Sequence, residues 1–211
     1  MSAVPIPLLG PEVYNGIEER GLTTDIFTGW HSTHPFITKI VEKVHPKTYI
    51  EVGVWKGGSI INICRIAPYL EKAYGVDHWL GGCDHVTAEC AFRQGVMRDT
   101  HGWPGIYYQF LHNVKVSGFS DKIVPLPMMT TDGARLLALH GVLADLIYID
   151  ADHNEGPCSD DIRAYMPLLR PGGMMFGDDY NVDGVRLATK AVLGVTEPAE
   201  ATGTFWAIQT E

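Results

Sequence analysis

The chain lacks several things that would otherwise decide its class. Nowhere do about 18 apolar residues follow one another, and the opening MSAVPIPLLGPEVYNG carries no basic segment, so neither a membrane span nor a secretory leader is expected. The expectation is a soluble, cytoplasmic protein. Basic residues are short: 16 Lys and Arg against 25 Asp and Glu leave a formal charge of −9, which excludes the basic stripe that a nucleic-acid or anionic-membrane partner would require. A small-molecule substrate follows as the default. Cysteine is scarce too, and Cys64, Cys83, Cys90 and Cys158 form no C-x-x-C pair. Their spacing fits neither a zinc site nor a disulfide scaffold. They read as reduced thiols, with Cys64 in a helix core. Internal repeats and low-complexity tracts are absent, and 45% apolar with 19% charged residues gives no signature of disorder.

What is present is an alternation. From Thr48 onward short β-rich runs (TYIEVGV, KAYGVD, DKIVPLP, LADLIYID, GGMMFGDD, TFWAIQ) exchange with helical stretches (SIINICRIAPYL, GARLLALHG, DDIRAYMPLLR, GVRLATKAVLG). Strands separated by helices mean βαβ units. The predicted fold class is therefore α/β, a Rossmann-like doubly wound, mostly parallel sheet in three α/β/α layers. LIYID and GGMMFG are nearly all apolar, as strands covered on both faces should be. At 211 residues the chain reads as one domain. Residues 1–47 form a helical cap that includes a helix over Thr38–Val44 closed by Pro46, and 79–118 form a lid or substrate wall or, equally, an extra surface helix pair. Exposed aromatics near 103–110 would suit a homodimer contact.

The first strand and loop, YIEVGVWKGGSI, space their glycines as Gly53, Gly57 and Gly58. This is neither G-x-G-x-x-G nor a P-loop, since no G-K-[ST] follows. A loop that begins with an acid, Glu51, repels a pyrophosphate and calls for a ligand with a positive end. S-adenosylmethionine (SAM) has one in its sulfonium and α-ammonium groups. Its ribose diol asks for an acid at the second strand tip, and Asp77 stands 26 residues beyond Glu51. Taken alone, the glycines could simply make a tight βα turn. Joined to Glu51, Ser59 and Asp77, they favour the ligand.

These residues resemble the class I SAM-dependent methyltransferases. Among those, the likeness is to the metal-dependent O-methyltransferases related to catechol O-methyltransferase and to the macrolide-sugar (macrocin and mycinamicin) enzymes. The family pattern E-x-G-x-x-x-G-x-S reads here as Glu51, Gly53, Gly57 and Ser59. The resemblance implies Trp55 packing near SAM, Asp77 on the ribose, and His78, Thr130 and Thr131 beside the adenine.

Two later strands end in bursts of acid, ADLIYIDADHNEG and GGMMFGDDY. The resemblance places these strands side by side, so Asp150, Asp178 and Asp179 can converge on one rim, where unpaired like charges are costly unless a cation joins them. A hard divalent ion such as Mg²⁺ fits oxygen ligands of this kind, and the resemblance assigns the metal to the same three residues. The plainer alternative is that Asp150 is a helix N-cap and the Asp pair caps the next segment. His153, three positions past Asp150, agrees with the macrolide-sugar branch, where a histidine stands in place of the catechol branch's lysine. With Asp150 it is the candidate catalytic group, a base for a metal-bound hydroxyl. Asp160 and Asp161 read as first-turn charges of the helix DIRAYMPLLR. Asn154 either holds substrate or shapes the turn.

Three functions stay open on this reading. One is an Mg²⁺-dependent O-methyltransferase acting on a sugar, natural-product diol or phenol hydroxyl, with S-adenosylhomocysteine (SAH) as product. The second is a metal-independent SAM methyltransferase acting on N or C. The third is a SAM- or nucleotide-binding protein without catalysis.

Overall fold

The computed structural model describes residues 7–26, 31–82 and 102–211. Before the first strand come two single 3-10 turns, Pro11–Tyr14 and Ile17–Arg20, and then helix α1, Pro35–Val44. Pro35 begins α1 where a missing N–H costs nothing, and the His34 ring caps it by accepting the Phe36 N–H at 3.2 Å. Ile37, Ile40 and Val41 make its buried stripe, at helical spacing. Among the described residues the N-terminal cap is thus one helix and two short turns.

The alternation then proceeds as expected: β1 Thr48–Val52, α2 Gly58–Ile66, β2 Lys72–Asp77, α3 Ile106–Val116, β3 Ile123–Pro127, α4 Thr130–Leu139, β4 Ala144–Ile149, α5 Glu155–Tyr165, β5 Leu169–Gly177, α6 Asp183–Leu193 and β6 Trp206–Gln209. The sheet order is β3-β2-β1-β4-β5-β6, parallel throughout except for β6, which runs antiparallel to β5. The chain winds outward from β1 to β3 and then returns to lay β4 on β1's other side. That reversal opens a crevice at the carboxyl ends of β1 and β4, where ligands bind in such sheets.

Side chains alternate between two apolar cores. Tyr49, Leu146, Tyr148, Met174 and Phe176 face the layer of α1, α2 and α3, and Ile50, Val52, Ile147, Ile149 and Met175 face that of α4, α5 and α6. Cys64 is buried in α2, as expected, and Cys158 in α5; neither is bonded. Cys83 and Cys90 lie outside the described residues.

Two expectations change. The helix predicted from Asp160 begins at Glu155, because Asn154 provides an extended N-cap and Pro157 sits in the first turn, where proline is tolerated. Asp160 and Asp161 therefore lie inside α5 and do not charge its N-terminus. Of the aromatics near 103–110, Trp103 is exposed, but Phe110 is fully buried and its helix α3 is a crossover packed into the core. Of the segment predicted as a lid, 83–101 falls outside the described residues. No helix among the described residues is long and apolar enough to cross a membrane.

Candidate active site

A cavity of about 680 Å³ opens at the carboxyl ends of β1 to β5. Its floor is the loop after β1. Gly53 has φ +85°, and a Cβ there would stand 2.0 Å from the carbonyl oxygen of Asp150, so only glycine lets the β1 and β4 tips approach this closely. Gly57, with φ +86°, is the N-cap of α2 and underlies the cavity without lining it. The loop is braced from outside: Asn113 donates to the carbonyls of Asp25 and Lys56, and Lys56 Nζ meets Asp25 Oδ2 at 2.5 Å. Glu51 also lies below the floor. It is fully buried and accepts from Tyr49 Oη at 2.5 Å and from Ser59 Oγ at 2.6 Å. Burial pushes its carboxyl up to about 8, against the downward pull of those two bonds. Ser59 lines the cavity above it.

Asp77, at the tip of β2, lines the cavity and holds the loops together. Its Oδ2 accepts the N–H groups of Val54 at 3.0 Å and Trp55 at 2.9 Å, and its Oδ1 accepts that of Trp79 at 2.7 Å. The Trp79 indole donates to the Trp55 carbonyl at 2.7 Å and packs on Phe110. Trp55, His78 and Thr130 line the same wall, whereas Thr131 is exposed on α4 and does not.

The other end of the cavity is charged. Asp150, at the tip of β4, accepts from Tyr148 Oη at 3.0 Å. His153 Nε2 lies 3.8 Å from Asp150 Oδ1 and 2.9 Å from Asp179 Oδ2. One ligand atom from each of Asp150, His153 and Asp179 lies within 4.8 Å of the others. Asp178, the third predicted metal ligand, also lines the cavity but is otherwise engaged: Oδ1 accepts the Asp179 N–H at 2.7 Å, and Oδ2 meets His31 Nδ1 at 2.8 Å. Burial and the Asp150 charge push the Asp178 carboxyl up to about 7. Bonding to His153 holds Asp179 below the ordinary carboxylate range. Asp150 and Asp179 in turn push His153 up to about 10, so beside two bare carboxylates it is a cation at neutral pH.

Two parts of the wall were not anticipated. His31 and Ser32 enter from the turn before α1, and the Ser32 hydroxyl is buried without a hydrogen-bond partner among the described residues. Met129 and Asp161 close the side next to Thr130. The pair of histidines around a Ser-Thr turn, HSTHP, was the available signal for the first of these. Backbone strain collects here as well: of the five non-glycine residues with positive φ among the described residues, His31, Trp55, Trp79 and Asp179 line the cavity, and His45 ends α1. Such strain concentrates at functional sites.

A family model described as a methyltransferase domain matches residues 50–180, the span that carries every strand tip of this cavity. The chain belongs to the methyltransferase-domain family. Solved structures place this methyltransferase in the same Rossmann-like fold. Apo CalS11, the TDP-rhamnose 3'-O-methyltransferase of calicheamicin biosynthesis, is 19% identical with a TM-score of 0.59, over 97% of this chain and 88% of that one. The O-methyltransferase from Bacillus cereus in complex with SAH is 14% identical with a TM-score of 0.58, over 95% and 89%. The O-methyltransferase NovP is 17% identical with a TM-score of 0.60, over 85% and 79%. No curated protein matches the sequence.

Proposed function

We propose that this methyltransferase moves the methyl group of SAM to a hydroxyl oxygen of a small molecule, with a divalent cation at the β4 and β5 tips. The observation that carries the reading is the polarity of the cavity. Asp77 and the β1 loop make one end, and Asp150, His153 and Asp179 converge at the other. SAM laid between them would put its ribose on Asp77. Its amino-acid carboxylate would lie by the N-terminus of α2, where the cap makes no side-chain bond, near the unpartnered Ser32 hydroxyl.

The residues fit a divalent ion. Asp150 and Asp179 supply hard oxygen donors on one rim, and Asp178 beside them can join by giving up His31. A cation held there would make an acceptor hydroxyl easier to deprotonate. With Asp150 and Asp179 turned to a cation, His153 would lose the partners that keep it protonated, and it is then the side chain placed to take the proton, at Nε2. The solved O-methyltransferases of like fold support oxygen as the acceptor, and CalS11, a TDP-rhamnose 3'-O-methyltransferase, supports a sugar hydroxyl.

One observation favours a metal-independent reading: His31 and His153 already offset Asp178 and Asp179. Calorimetric titration with SAM and with SAH, each in Mg²⁺ and in EDTA, on the wild type and on Asp150→Ala, separates the two. The expected result is binding of both nucleosides and a separate Mg²⁺ heat that is lost in the variant. Nucleoside binding with no metal heat would select the metal-independent reading, and no nucleoside binding would end both.

A further inference from the structure

Asp161 is a charged side chain of the cavity wall to which the reading above gives no task. The buried face of α5 is Cys158, Asp161, Ile162 and Tyr165, the i, i+3, i+4, i+7 stripe of a core helix with an acid set into it. Asp161 is 2% exposed. Thr130 Oγ1 donates to its Oδ1 at 2.5 Å, and Tyr165 Oη fixes the Thr130 carbonyl at 2.7 Å. No described residue donates to its second oxygen and no described cation pairs with it; its charged neighbours, Asp152 and Asp160, are acids. Burial pushes its carboxyl up to about 6. An acid kept in such a place is costly unless a donor reaches it.

The sheet order says which part of a ligand that donor belongs to. Asp161 closes the cavity beside Met129 and Thr130, which follow β3, at the opposite end of the β3-β2-β1-β4-β5 row from the carboxylates after β4 and β5. Between them stands Asp77 on β2. A SAM molecule with its methyl group at the β4 end and its ribose on Asp77 must place its purine by β3. Met129 offers that ring an apolar cover.

We propose that Asp161 accepts a hydrogen bond from the exocyclic 6-amino group of the cofactor's purine, through the oxygen that Thr130 leaves free, and so selects adenosyl over 6-oxopurine (inosyl) ligands. The proposal rests on the SAM reading of the cavity. A 6-oxo group turns an acceptor toward the carboxylate, so the wrong purine loses a charge-assisted bond and meets lone-pair repulsion.

The test is the ratio of affinities for SAH and S-inosylhomocysteine, measured by calorimetry. The wild type should prefer SAH by about 10- to 100-fold, the range of one hydrogen bond to a charged group. Asp161→Asn keeps an acceptor for the Thr130 hydroxyl and can turn an amide N–H to the 6-oxo oxygen, so its ratio should collapse toward one. Thr130→Val, which frees the carboxylate to swing, should narrow the ratio by less. A wild-type ratio near one overturns the proposal without any variant. An unchanged ratio in Asp161→Asn also overturns it, since a merely structural tie to Thr130 could weaken both ligands but could not alter their ratio. Failure of the wild type to bind either nucleoside would remove the SAM reading as well, which separates that failure from the other two.

Discussion

The two ends of the cavity solve the same electrostatic problem in opposite ways. At the β2 tip one carboxylate, Asp77, is answered by three backbone N–H groups, those of Val54, Trp55 and Trp79. At the β4 and β5 tips three carboxylates share Tyr148, one backbone N–H and two histidines, and the strain shows as an Asp178 carboxyl pushed up to about 7 and a His153 pushed up to about 10. The first acid is part of the fold: without it two loops lose their anchor. The second group is a charge surplus that the fold tolerates, and a surplus of one sign is what a cation would neutralise.

The largest effect that could break this contrast is on activity. Asp150→Ala should cut turnover on the order of 10²–10³-fold or more, the scale of losing one preorganised electrostatic group, and abolish the Mg²⁺ heat. It should change thermal stability in EDTA little, because relief of the like charge that lifts Asp178 is set against the lost acceptor of the Tyr148 hydroxyl and the lost partner of His153. A variant that loses both activity and stability would make the β4 tip a structural acid like Asp77. Next in size, Asp77→Ala should cost about 1–3 kcal/mol for each buried N–H left without an acceptor, read as a lower urea midpoint even without cofactor. An Asp77→Ala protein as stable as the wild type, yet unable to bind SAH, would reduce Asp77 to a ligand contact.

The sequence showed more of the second end than of the first. Asp150, Asp178 and Asp179 announce themselves because each ends an apolar run, where a charge has no packing reason to be. Asp77 was visible as a strand-tip acid, but its three backbone partners were not, since Trp79 reaches it only because Trp55 and Trp79 take the left-handed region. Glu51 was read as a residue facing the ligand. Its alternation along β1 instead turns it into the core beneath Ser59, between Tyr49 and α2. Asp161 was assigned to a helix end because the helix was begun at Asp160, past Pro157, although its place on an apolar stripe with Cys158, Ile162 and Tyr165 marked it as an inward acid. His31 and Ser32 stood out only as the composition of HSTHP, because nothing local tells a turn before the sheet that it will fold back over the strand tips.

Glu51 sharpens the comparison from below, as an acid paired chiefly by two hydroxyls, with the Ile60 backbone beside them. Its carboxyl titrates at about 8 in the folded chain against an ordinary value of 4.5, so between those values the native state keeps a proton that the unfolded chain has lost. Stability should therefore fall as pH rises from about 4.5 to about 8 and level off beyond. Glu51→Gln keeps an acceptor for one of the two hydroxyls and offers an amide N–H to the other, which can turn to accept it, so it should flatten that slope. A urea-unfolding series across this range checks it, and an unchanged slope would mean that the buried group is not the one titrating.

The smallest effect concerns the turn that bridges the two ends. His34 caps α1 through the Phe36 N–H, its ring lies 5.0 Å from that of Phe205, and the same turn delivers His31 to Asp178 and Ser32 to the cavity wall. Losing a cap of this kind costs about 0.5–2 kcal/mol. If the turn only rests against the site, His34→Ala should lower the urea midpoint and leave SAH affinity as it was. The expected result is that affinity weakens together with stability, because among the described residues the Ser32 hydroxyl is held at the α2 end through this turn and the bond from Asn62 to its carbonyl. The charged end needs His31 in place as much as the cofactor end needs Ser32, so a single loosened cap should be felt at both.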